Sequence, residues 1–175
     1  KKSSHLTLKE VPHTYKLVDT EEDITNLVSV VKNCNSVCFD TETTSTNALA
    51  AELVGISIAV KENEAFYIPM PANREETLKR VSLLKEILEN EESEKVGQNI
   101  KYDITVLANY GIEVKGRLFD TMIAHYVLQP ELFHGMDYLA EIYLNYDTIK
   151  IEELIGEKGR GQKNMRDIAP ALVCD

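Results

Sequence analysis

Two apolar runs, "ELVGISIAV" (residues 52–60) and "AFYIPM" (residues 65–70), are joined by only four residues, "KENE". Both runs are rich in β-branched and aromatic residues that suit a pleated surface, and Pro69 and Pro71 close the second. So short a link favours a hairpin, because a parallel crossover needs a dozen residues or more. Two further strands precede them: "TYKLV" (14–18) and "SVCF" (36–39). Between these two, Thr20 is placed as an N-cap. Early acids then lead into Ile24, Leu27, Val28 and Val31 at helical spacing.

Downstream the pattern alternates. Leu78, Val81, Leu84 and Leu88 predict one amphipathic helix over residues 74–90. "KVGQ" reads as a brief strand, followed by a helix from about 99 to 110 that Gly111 stops. "RLFD" leads into a helix capped by Asp120 and running through "TMIAHYVL" towards Pro130, and "MDYLAEIYL" is one more helix. There is no internal repeat. The order predicts an α/β fold, a mixed sheet flanked by helices.

The 175 residues, 43% hydrophobic and 27% charged, suit one globular domain. No run is long and apolar enough to span a bilayer. Three cysteines without metal-ligand spacing point to a reducing cytoplasm, and the four histidines form no H-x-x-x-H pair. A chain starting at Lys1 without methionine is expected to be a segment of something larger. The net charge of −10 argues against a nucleic-acid partner, so any such reading has to rest on motifs.

"SVCFDTETTS" supplies the first. On an extended strand Asp40 and Glu42 share a face while Thr41 points away. Two carboxylates so placed repel each other unless a cation lies between them, and hard ions such as Mg²⁺ or Mn²⁺ take oxygen ligands of this kind. A turn cap at Asp40 with a solvated Glu42 is the plainer alternative. In "GQNIKYDITVLANYG", Ile100, Ile104, Leu107 and Ala108 form a core stripe that leaves Asn99 and Asp103 at its margin. From there Asp103 could overhang the end of the first strand. An N-cap and a solvated acid would use the same residues.

Taken in order, "FDTETTS", "ELVGISIA", "AFYIP", "VGQNIKYDITVLANYGIEVKG", "FDTMIAHYVL" and "MDYLAEIYL" resemble the 3′–5′ proofreading exonuclease domain family of bacterial DNA polymerase I. The resemblance covers residues 14–175 and leaves 1–13 as a linker. It implies an RNase H-like fold. It also implies two divalent metal ions, Mg²⁺ with Mn²⁺ as substitute, straddling a scissile phosphate. Asp40 would bridge both ions, Glu42 would serve the nucleophile-side ion, and Asp103 would hold the second. Gln98, Asn99, Tyr102 and Thr41 would contact the nucleic acid. The implied partners are a single-stranded 3′ end of DNA and a polymerase domain of the same parent chain, in a bacterial cytoplasm near the nucleoid. That polymerase domain would supply the basic surface this chain lacks.

The segment 156–166, "GEKGRGQKNMR", is Gly-rich and basic, and reads either as a phosphate-tracking loop or as a mobile connector. Two departures from the family stand out. Thr46 occupies a position where relatives commonly carry a leucine that wedges against terminal bases. A third motif, a tyrosine followed four residues later by an aspartate, falls beyond "ALVCD", so weak activity is expected of these residues alone. Two other readings share the fold: a catalytically degenerate spacer or DNA-binding module, and an RNase D-like RNA-processing exonuclease. Three acids argue against the first and "VGQNIKYD" against the second.

Overall fold

The structure, a computed structural model, describes residues 5–174. Six strands, β1 (Thr14–Leu17), β2 (Ser36–Thr43), β3 (Leu53–Lys61), β4 (Glu64–Pro69), β5 (Glu94–Gly97) and β6 (Leu118–Asp120), form one sheet in the order β1-β4-β3-β2-β5-β6. The pairs β2–β3 and β3–β4 are antiparallel, while β1–β4, β2–β5 and β5–β6 are parallel. The expected hairpin is present and tighter than "KENE". Its strands run to Lys61 and restart at Glu64, and Asn63 takes a positive φ of 60° in the two-residue turn.

The helices are α1 (Glu21–Val31), α2 (Arg74–Leu83), α3 (Lys85–Leu88), α4 (Lys101–Ala108), α5 (Thr121–Leu128), α6 (Met136–Leu139), α7 (Ile151–Ile155) and α8 (Pro170–Cys174). Thr20 caps α1, its Oγ1 accepting the Asp23 amide at 3.1 Å, and Ile24, Leu27, Val28 and Val31 are all buried. They pack with Val37, Phe39, Ile56, Ile58 and Ile68 in one hydrophobic core. The alternation of inward Val37 and Phe39 with outward Cys38 and Asp40 is what carries the first acid away from that core.

The helix expected over 74–90 is broken at Leu84, whose amide turns to Val81 O at 2.9 Å in a tighter, 3₁₀-like bond. Leu78 is therefore not a core residue. It is 38% exposed, and Thr77 is buried instead, with its hydroxyl donating to Pro71 O and Asn73 O. "MDYLAEIYL" starts as α6 but widens into a π-helical turn over Ala140–Leu144, ended by Asn145 at φ 52°. Residues of the expected N-terminal linker are engaged here. Leu6 N donates to Asn145 O and Asp147 N to Leu6 O, both at 2.8 Å. Among the described residues no helix is long and apolar enough to cross a membrane.

Candidate active site

β2 pairs with β3 as far as Thr43, with a bulge between Glu42 and Thr43, but its pairing with β5 stops at Cys38–Val96. Beyond Cys38 the β5 side of the strand is open, and α4 fills the gap. The Asp103 carboxylate of α4 accepts both the Thr41 amide at 2.9 Å and the Thr41 hydroxyl at 2.6 Å through Oδ1. The second acidic motif thus docks on the residue between the two acids of the first, 62 positions away.

Asp103 is not at the margin of the buried face, as its spacing predicts, but within it, at 2% exposure. The buried stripe of α4 is Asp103, Val106 and Leu107, continued by Tyr110, while Ala108 faces solvent. The cause is local. Asn99 takes a positive φ of 58°, Ile100 becomes the N-cap, and the helix starts at Lys101, so its phase shifts. Asp120 fixes this entry. Its carboxylate accepts the amides of Asn99 (3.1 Å) and Ile100 (2.9 Å), and also those of Met122 (2.9 Å) and Ile123 (3.2 Å) at the start of α5. The sequence marks Asp120 as a cap for α5 only.

The three acids stand in a field of their own making. Burial pushes the Asp40 carboxyl up to about 7, helped by the charges of Asp103 and Glu42. Burial and Asp103 likewise push Glu42 up. Burial pushes Asp103 up, against the hydrogen bonds from Thr41. A hard divalent cation would relieve all three, so the donor chemistry fits one. Among the described residues no three His, Cys, Asp or Glu side chains close around a common point. Asp103 turns one oxygen onto Thr41 instead.

The expected nucleic-acid contacts divide. Thr41 is buried and its hydroxyl is committed to Asp103. Gln98 is held at both ends, donating to His134 O at 2.7 Å and accepting from the Thr121 hydroxyl. Tyr102 bonds through its hydroxyl to Thr43 Oγ1 at 2.5 Å and to Ser45 O, pinning the loop after β2. Asn99 and Tyr102 line a polar groove of about 850 Å³ together with Glu42, Thr46, Lys158 and Lys163. A second, apolar cavity of about 500 Å³ reaches Asp40 and Gln98 from the α5 side. Within the segment 156–166, Arg166 is not free for phosphate, since its guanidinium donates to Leu53 O at 2.9 Å and Met70 O at 3.3 Å.

One neighbour of the site escaped the motif reading. The Tyr67 ring of β4 lies across Gly55 of β3, where a Cβ would come within 2.2 Å of the phenol oxygen. A glycine inside an otherwise apolar strand is the one signal that could have found it.

A mixed sheet whose central strand ends in paired acids, met by a third acid from a crossing helix, defines an exonuclease of the RNase H-like fold. Solved structures agree on the fold. The catalytic core of RRP6 from Trypanosoma brucei matches with a TM-score of 0.66 at 19% identity, covering 87% of this chain and 40% of that one. Brucella melitensis NrnC with bound Mg²⁺ matches with a TM-score of 0.56 at 18% identity, covering 81% and 65%. Sequence is more specific: residues 15–169 match the 3′-5′ exonuclease family model of the DNA polymerase A type, and the chain belongs to that family. DNA polymerase I of Pseudomonas aeruginosa is 44% identical over 142 residues, and that of Borreliella burgdorferi is 34% identical over 143. These alignments cover 76% and 81% of this chain but only 15% and 16% of those polymerases.

Proposed function

We propose that this chain is the proofreading exonuclease part of a bacterial DNA polymerase I, removing nucleotides one at a time from a free single-stranded 3′ end. The observation that carries this reading is the docking of Asp103 on Thr41, which brings the carboxylate of the second motif to the strand that bears Asp40 and Glu42. Asp40, Glu42 and Asp103 would hold two divalent ions, Mg²⁺ or Mn²⁺. Such ions supply an activated water and stabilise the departing 3′ oxygen. The bound Mg²⁺ of the NrnC structure supports that choice of ion.

The chain's own residues do the positioning. Thr41 holds Asp103 against the strand, so the third acid stays with the first two through the reaction. Tyr102 and Asn99 present a ring and an amide to the polar groove, where a base can stack and a sugar can be gripped. Lys158 and Lys163 bring positive charge to the same groove, suited to a phosphate. The duplex and most of its basic binding surface belong to the polymerase portion of the parent protein. DNA rather than RNA is the substrate, because the relatives sharing a third or more of the sequence are DNA polymerases.

The test is a 5′-labelled single-stranded oligonucleotide given to the purified protein carrying this sequence, with Mg²⁺. Expected are stepwise shortening from the 3′ end, release of nucleoside 5′-monophosphates and arrest by chelator. Asp40→Ala should lose about a hundredfold or more in rate, the scale of removing a preorganised charge-stabilising group. Cleavage of a 3′-blocked oligonucleotide, products ending in 3′-phosphate, or an active Asp40→Ala protein would overturn the reading.

A further inference from the structure

Gly55 is the register partner of Glu42 on one side and of Pro69 on the other. Its φ is not positive, so the backbone does not demand glycine here. What demands it is space, because the Tyr67 hydroxyl, Cζ and Cε2 lie 2.2, 2.4 and 2.5 Å from where a Cβ would stand. The phenol therefore reaches from β4 across β3 towards β2 and Glu42. Tyr67 is 4% exposed, and among the described residues no acceptor is bonded to its hydroxyl.

Three polar neighbours act electrostatically on Tyr67: Glu42, Cys174 and Arg166. Arg166 has only donors to offer, two of its guanidinium nitrogens being engaged with the Leu53 and Met70 carbonyls. Sulfur accepts weakly. Glu42 is the one strong acceptor of the three.

We propose that Tyr67 is a positioning residue for Glu42: its hydroxyl, reaching across Gly55, stands where it can donate to the Glu42 carboxylate in the rotamer in which that carboxylate binds metal. This rests on the metal-dependent reading given under "Proposed function". It adds a residue from β4, a strand that carries none of the acids, to the machinery that orders them. Groups that orient a metal-binding carboxylate by hydrogen bonding set its affinity as well as its geometry.

The experiment compares Tyr67→Phe, Glu42→Gln and the double variant, in the protein carrying this sequence, by calorimetric Mn²⁺ titration, thermal melting and exonuclease kinetics. Tyr67→Phe keeps the ring over Gly55, so the melting temperature should not fall. Its Mn²⁺ affinity should drop about tenfold. Its kcat should fall with KM for the oligonucleotide unchanged, and higher Mg²⁺ should restore part of the rate. In the Glu42→Gln background the further change to Phe should cost nothing. Wild-type Mn²⁺ affinity and kcat in Tyr67→Phe, or an undiminished loss in the double variant, would overturn the role of Tyr67 while leaving the exonuclease reading intact. Failure of the unsubstituted protein to bind Mn²⁺ would overturn both.

Discussion

Asp40 in the metal-free protein binds its proton more tightly than a carboxyl in water does. Its carboxyl is raised to about 7 by burial first and by Asp103 and Glu42 next, against about 3.9 in an unfolded chain. A raised carboxyl means that the folded state binds the proton more tightly. Its contribution to stability is fully present below about pH 4 and is lost as pH rises towards 7. Metal-free protein should therefore lose melting temperature across that window through this group, and Mg²⁺ should restore it by taking the proton's place. Asp40→Asn carries no such charge. At pH 8 without metal it should be about 1–3 kcal/mol more stable than the parent, while its nuclease activity collapses. Thermal melts in chelator from pH 5 to 8 check both halves. A variant that melts lower than the parent at pH 8 would show that Asp40 is compensated by some other means.

The elements show where sequence reading succeeds and where it stops. The Thr20 cap, the hairpin at Asn63 and the buried face of α1 were legible because their causes lie within a few residues. The D-x-E pair was legible for the same reason, strand alternation being local. The phase of α4 was not, since it depends on Asn99 at φ 58° and on an Asp120 carboxylate 21 residues away. Nor were the buried Thr77 and Lys95, which hydropathy assigns to solvent. Lys95 is fully buried, with Nζ donating to the carbonyls of Asn90, Ser93 and Lys115. Because Asp120 caps the entry to α4 as well as α5, Asp120→Ala should cost about 2 kcal/mol or more. It should also lower exonuclease activity by loosening the turn that delivers Asp103. Asp120→Asn keeps acceptor oxygen and should recover part of both in urea unfolding and rate assays. Equal activity in the Ala variant would uncouple the cap from the site.

Across the whole molecule, the sheet combines a contiguous antiparallel meander, β2-β3-β4, with parallel strands added at both edges. Contacts within the meander are near in sequence, while the Thr41–Asp103 bond closes a span of 62 residues. Loop closure delays such long-range pairs relative to local ones. Pulsed hydrogen exchange during refolding should find the amides of β3 and β4 protected before that of Thr41. Simultaneous protection would indicate that α4 joins the folding nucleus.

That single amide also has a bearing on how the chain comes into being. A polypeptide leaving the ribosome can lay down β2, β3 and β4 once residue 69 has emerged. At that moment Asp40 and Glu42 are in place, but Asp103 has not yet been synthesised. During translation the unfinished chain therefore carries two of the three acids of the proposed site, and it gains the third only as α4 arrives.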